Sequence, residues 1–277
     1  MKGGAEVELR TETACGSFGD RRVNLYYFSG SAVTQSPVIL LFHGVHGWAA
    51  PVEGNKYGYI ARELAGKGIE TCIAESSRLR RDRETFGDDR AAWAKEAFRG
   101  KTFAMEVYDA CSAFAAVQSK YPGRPVVPWG FSLGGLTAVL LAGGETDHYV
   151  DAAGLPHPGD AVPAGVIVSG SGESIRPEAA GSLSLPILDS LGENRYVLDA
   201  ASKINTGFAL FFYGSLDETF SEESSRKIYD RIPLREGKKR FIIIPGADHA
   251  FRQENGVPSR APLERMAAIA MDILENC

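Results

Sequence analysis

The chain has 277 residues, 44% of them apolar and 23% charged, with 31 Gly and 14 Pro, a balance that excludes wholesale disorder, collagen and coiled coil. Thirty Lys and Arg against 35 Asp and Glu give a formal charge of -5, so no general field draws it to nucleic acid or anionic lipid, and a small or neutral partner is expected. The length suits one large α/β domain over residues 1–277.

The first forty residues alternate and carry turn residues, which predicts two antiparallel strands near 6–10 and 22–28. Short runs that are apolar throughout then recur at 38–42, 69–74, 126–129, 165–169, 208–213 and 241–244, as expected of strands covered on both faces in a parallel sheet. Helical stretches fall between them at 57–65, about 91–120, 133–142, 222–232 and 262–275. Alternation of this kind predicts a mostly parallel central sheet flanked by helices, with right-handed crossovers. Residues 143–163, rich in Gly, Pro and Asp, read as a surface loop. Residues 173–205, with Leu183, Leu185, Ile187, Leu188 and Leu191, read as a small helical cap inserted over a pocket.

Cys15, Cys72, Cys111 and Cys277 are far apart and form no zinc-like spacing, so they read as reduced thiols without a disulfide framework. The N-terminal segment lacks the apolar core of a signal peptide, and no run approaches the roughly 18 apolar residues of a membrane helix. The expected location is therefore the cytoplasm, away from the membrane.

The chemistry centres on VVPWGFSLGG, from Val126 to Gly135, where a GxSxG pattern joins a predicted strand to a predicted helix. Glycines flank Ser132 because a Cβ two residues before or after it would strike adjacent backbone in so sharp a turn. Pro128 is unusual inside a central strand. A serine needs a base to take its proton and an acid to orient that base. His249, in IPGADHAF after the last apolar strand, is the candidate base. Asp217, in YGSLDE after the preceding strand, is the candidate acid, giving the order serine, acid, histidine. Glu173 and Asp248 compete for the acid role, but Asp248 adjoins His249 and is poorly placed to reach its Nδ1. His148 and His157 lie in the irregular stretch. The segment FHGVHG, from Phe42 to Gly47, follows the first long apolar strand, and the backbone N–H groups of Val45 and Leu133 are the candidate oxyanion donors. His43 and His46 lack a helical metal-ligand spacing and an accompanying carboxylate set, so no metal is expected.

At these residues the chain resembles the α/β-hydrolase superfamily, and GFSLGG with GADHAF resemble its dienelactone hydrolase-like branch over about residues 38–275. The resemblance implies an α/β-hydrolase fold, with Ser132 as nucleophile, Asp217 as acid, His249 as base and Val45 with Leu133 as oxyanion donors. It also implies neither metal nor organic cofactor. Dienelactone hydrolase itself uses a cysteine nucleophile, so serine here points toward hydrolysis of carboxylic esters in general. Alternatives are a thioesterase or peptidase of the same fold, or a catalytically silent binding protein. Peptidases of the prolyl-oligopeptidase type usually carry a β-propeller, for which there is no N-terminal region of that size. Four side chains are candidates for substrate contact: Trp48 and Phe131 on an apolar acyl pocket, and Arg78 and Arg80 toward a substrate carboxylate. The blander reading of the Arg78–Arg83 run is a solvated, internally paired charge cluster.

Overall fold

In the computed structural model, which describes residues 6–31, 36–45, 48–180, 185–192 and 195–275, the chain opens with β1 (Val7–Cys15) paired antiparallel to β2 (Arg22–Gly30). β1 carries Glu8, Arg10 and Glu12 on a largely exposed edge, where charge discourages pairing with another chain. β2 runs antiparallel to β4 (Thr71–Glu75), and from there the sheet is parallel through β3 (Val38–Phe42), β5 (Val126–Phe131), β6 (Val166–Ser169), β7 (Ala209–Leu216) and β8 (Lys239–Asp248). The spatial order is β1-β2-β4-β3-β5-β6-β7-β8, with the short β9 (Gln253–Glu254) and β10 (Val257–Pro258) continuing past β8.

Successive strand residues feed opposite layers, as the pleat demands. Ile39 and Leu41 face a core shared with α1 (Lys56–Ala65) and α10 (Ala261–Glu275), through Ile60, Leu64, Met266 and Ala270. Val38, Leu40 and Phe42 face the other core, built with α3 (Phe103–Lys120), α4 (Leu133–Gly143), α8 (Arg195–Lys203) and α9 (Glu222–Arg231). The unbroken apolar runs in β3 to β7 are thus strands covered on both sides, whereas in β8 Ile243 is exposed and Phe241 and Ile242 are half-buried. This mixed sheet with flanking helices is an α/β-hydrolase fold. No helix among the described residues is long and apolar enough to cross a membrane.

Pro128 fits because of which edge its missing donor faces. The Val126 carbonyl accepts from Ala164 on the β6 side, so alternation puts the Pro128 nitrogen on that same side. There the β5–β6 ladder begins one residue later, at Trp129 opposite Ile167.

Three expectations are corrected. The long helix over 91–120 is two helices, α2 (Arg90–Ala97) and α3, because Gly100 takes φ 87 and Thr102 caps α3 by accepting from the Met105 N–H at 3.4 Å. The surface loop contains α5 (Asp147–Ala153), anchored by buried Tyr149 and Val150 and ended by Gly154 at φ 68. The 173–205 segment is not uniform. Its first part, with the short turns α6 (Pro177–Ala180) and α7 (Pro186–Asp189), does border a cavity, through Ile175, Leu188 and Leu191, as expected of a cap, whereas α8 packs into the flanking layer against α4 and α9. A Cβ on Gly143 would fall 2.2 Å from the Ala200 oxygen, so α4 and α8 touch backbone to backbone. Leu183 lies outside the described residues.

Candidate active site

The turn between β5 and α4 holds Ser132 at φ 55 and ψ -121, a strained conformation for a residue with a Cβ. Its surroundings explain the glycines. A Cβ on Gly130 would sit 1.9 Å from the Gly134 oxygen, and one on Gly134 would sit 2.5 Å from the His43 oxygen. The strain is held by fixed bonds: the Ser132 N–H donates to Ser169 O at 2.9 Å, and Ser171 Oγ donates to Ser132 O at 2.7 Å.

The three candidate residues converge. His249 Nε2 lies 3.1 Å from Ser132 Oγ, and His249 Nδ1 lies 3.0 and 3.1 Å from the two carboxylate oxygens of Asp217. Asp217 is buried, and its Oδ1 also accepts from the N–H groups of Thr219 and Phe220 at 2.8 and 2.9 Å. A carboxylate so fixed assigns the proton of neutral His249 to Nδ1 and leaves Nε2 to accept from the serine hydroxyl. The competing acids are occupied elsewhere. Glu173 pairs with Lys227 at 3.0 Å, and Asp248 accepts from the Arg252 and Gln253 N–H groups.

Gly44 lies against the nucleophile, for a Cβ there would be 3.0 Å from the Ser132 Cβ. Its N–H donates to Tyr57 Oη at 3.2 Å, and its carbonyl is 2.8 Å from Nδ1 of buried His43. With the Gly44 carbonyl turned toward His43, the N–H of the same planar peptide, that of Val45, points the opposite way. Val45 and Leu133 both line the cavity in front of Ser132, and the Leu133 N–H is among the unpaired donors of the first turn of α4. His43 belongs to this support and to no metal site: its Nε2 accepts from the Ser76 N–H at 3.1 Å. His46 lies outside the described residues, and among those described no three His, Cys, Asp or Glu side chains form a metal-sized group. His148 stacks on Tyr196, and His157 contacts Asp147.

The cavity has a volume of about 780 Å³. One wall is apolar, with Leu136, Ile175, Leu188, Leu191 and Phe220. Of the side chains expected to meet substrate, Trp48 does line it, with the Arg83 guanidinium 4.0 Å above its ring centroid. The other three are elsewhere. Phe131 is buried beneath the turn, stacked on Trp129. Arg78 is wholly buried between Trp93 and Phe98 and pairs with Glu75 at 3.4 Å, because its loop folds inward against α2. Arg80 pairs with Asp82 outside the cavity and covers Phe86. The cations that do line the cavity are Lys56, Arg90 and Arg252, none of which the motif reading singled out. Burial and the neighbouring Arg252 charge push the Lys56 ammonium down to about 7.

A family model described as "Dienelactone hydrolase family" matches residues 24–270. No curated protein sequence matches the chain significantly. Among solved structures, an esterase from an Arctic intertidal metagenomic library is 16% identical with TM-score 0.61, covering 97% of this chain and 96% of that one. Thermogutta terrifontis esterase 2, phosphoramylated by tabun, is 18% identical with TM-score 0.62, covering 100% and 96%. The esterase domain of a Rhodothermus marinus protein is 14% identical with TM-score 0.57, covering 95% and 96%.

Proposed function

Because the chain belongs to the dienelactone hydrolase family, we propose that it hydrolyses carboxylic esters through an acyl-enzyme on Ser132. The observation that carries this reading is the chain of contacts from Ser132 Oγ through His249 to buried Asp217, at 3.1 and 3.0 Å. Ser132 Oγ attacks the ester carbonyl while His249 Nε2 takes its proton, and Asp217 stabilises the resulting imidazolium. The carbonyl oxygen becomes an oxyanion facing the Val45 and Leu133 N–H groups. Collapse breaks the C–O bond, and His249 returns the proton to the departing alkoxide. Water then repeats the sequence on the acyl-serine, releasing the carboxylic acid and restoring the hydroxyl. The organophosphate adduct described for the Thermogutta esterase is a product expected of a comparably activated hydroxyl, which supports the serine mechanism by analogy of fold. A silent binding protein would have no need of a strained serine aligned with a base and a buried acid.

The test is incubation with a fluorophosphonate, followed by intact mass and peptide mapping, with Ser132→Ala as control. A single adduct on Ser132, absent from the variant, is expected. A folded protein that takes no adduct and turns over no activated ester would sink the reading.

A further inference from the structure

Three cationic side chains from separate elements converge on one side of the cavity. Lys56 is the first residue of α1, Arg90 is the first residue of α2, and Arg252 lies just beyond the His249 turn. The placement is unfavourable for the helices. A cation at a helix N-terminus opposes the macrodipole; neither helix has an acidic residue in its first turn, and only α2 has an acidic cap, Asp89, which accepts from the Ala92 N–H at 2.9 Å. The three also oppose one another: burial and the charges of Arg252 and Arg83 lower Arg90, just as Arg252 and Arg90 lower Lys56. Among the described residues, no carboxylate forms an ion pair with any of the three. Lys56 Nζ instead donates to Ala250 O at 3.3 Å and lies 4.5 Å from the centroid of the Phe131 ring. The carboxylates whose charge Lys56 feels, Asp248 and Asp217, are held by backbone N–H groups and by His249, and Glu173 is paired with Lys227. In a chain of net charge -5, this is a local concentration of positive charge whose nearby carboxylates, Asp89, Asp217, Glu218 and Asp248, are engaged by backbone N–H groups rather than by these cations.

Its position relative to the triad assigns it to one half of the substrate. His249 must hand its proton to the departing alcohol, so the alcohol lies along the His249 turn. That turn carries Arg252, and Lys56 bonds its Ala250 carbonyl. The apolar wall of Leu136, Leu188 and Leu191 is left for the acyl chain.

We infer that the substrate is an acyl ester of a phosphorylated alcohol, whose phosphate dianion is held by Lys56, Arg90 and Arg252 while the acyl chain fills the apolar wall. The inference rests on the ester-hydrolase reading. With Lys56 kept protonated by the bound anion, a monocarboxylate would offset one of the three charges; a phosphate dianion offsets two and offers an acceptor oxygen to each cation. Water adds across the acyl C–O bond, giving the carboxylic acid and the phosphorylated alcohol, and the phosphate ester bond is untouched.

The test uses 4-acetoxyphenyl phosphate, 4-acetoxybenzoate and phenyl acetate, which share an acyl group and differ in charge. The expected kcat/KM is at least about tenfold higher for the phosphate than for the neutral ester, with the carboxylate between them. No inorganic phosphate is released. Arg90→Gln and Arg252→Gln each lower the phosphate-to-neutral ratio, a comparison that cancels differences in leaving-group chemistry. Equal ratios in wild type and variants, or a carboxylate as good as the phosphate, would overturn the inference while leaving ester hydrolysis standing. Should no ester be cleaved and Ser132 resist fluorophosphonate, calorimetry of phenyl phosphate with the Ser132→Ala protein decides the anion site separately. Millimolar or tighter binding weakened by Arg90→Gln sustains it, and absence of binding at millimolar concentration removes it.

Discussion

His43 sits between two backbone groups: the Ser76 N–H donates to its Nε2 at 3.1 Å, and its Nδ1 lies 2.8 Å from the Gly44 carbonyl. An accepting Nε2 puts the proton of the neutral ring on Nδ1, from which it donates to Gly44 O. Burial lowers the pKa of His43, which favours that neutral form. The ring thus fixes the peptide whose other edge is the Val45 N–H. His43→Ala is expected to reduce kcat on phenyl acetate by about 10²-fold, the scale of a lost oxyanion donor, with a smaller change in KM. His43→Asn, which can still donate to Gly44 O, should recover part of it. Unchanged kcat in a folded His43→Ala protein would rule out the positioning role.

Substitutions in the triad should rank by role. Ser132→Ala is expected to lower turnover by about 10⁶-fold and Asp217→Asn by about 10⁴-fold. Glu173→Gln should stay within a few-fold, since its carboxylate meets Lys227 rather than His249. Steady-state kinetics on one activated ester ranks all three, and a crippled Glu173→Gln beside an active Asp217→Asn would exchange the two acids.

Gly134→Ala tests the nucleophile turn sterically. The added methyl would meet the carbonyl oxygens of His43 and Phe42 at 2.5 and 2.7 Å, both of them backbone. A loss of about 1–3 kcal/mol in unfolding free energy is expected, together with reduced turnover. Thermal unfolding beside kinetics reads both, and a variant unchanged in each would contradict the contact.

Lys101 is the buried cation of a network beneath the site. Its Nζ reaches Glu106 at 2.6 Å, Asp109 at 2.7 Å and the Ser77 carbonyl at 2.9 Å. Burial alone pushes the Glu106 carboxyl up, but the Lys101 ammonium, through its charge and its hydrogen bond, outweighs it and holds the group below its ordinary 4.5. Stability from this depressed carboxyl is therefore complete above about pH 4.5 and is lost as the pH falls through its folded value. Lys101→Met leaves burial dominant, so the Glu106 pKa rises and its charged form becomes a penalty near neutrality. The expected destabilisation is about 3–5 kcal/mol at pH 7, narrowing as the pH drops into the carboxylate range. Denaturant titrations at pH 7 and pH 4 would show a gap of constant size if the network contributed nothing.

Much of the site was legible because its constraints are local. Gly130 and Gly134 are dictated by the turn around Ser132, and Asp217 and His249 follow strands whose apolar runs are plain. The break at Gly100–Thr102 was missed although its sign is local: a glycine followed two residues later by a capping threonine is a stop and a start. Arg78 and Phe131 were misplaced because their exposure depends on how the loop after β4 packs against α2 and how the elbow stacks over Trp129, neither of which is encoded nearby. Lys56 and Arg90 left a fainter sign. Each directly follows a capping residue, Asn55 or Asp89, where the helix dipole favours an acid.

The chain's three tryptophans form a set of native optical probes. Trp93 and Trp129 are almost completely shielded, and Trp129 is stacked on Phe131 and Phe212. The emission of Trp129 should remain blue-shifted until the sheet itself opens, and that of Trp93 until the cluster it forms with Ala94, Ala97 and Phe98 does. Trp48 is half-buried on the cavity wall under the Arg83 guanidinium and packs against the Trp93 cluster, so a molecule entering the cavity alters its surroundings without reaching Trp129 inside the sheet. Fluorescence of the unlabelled protein can then follow occupancy and unfolding as separate signals, with Trp48→Phe identifying the first.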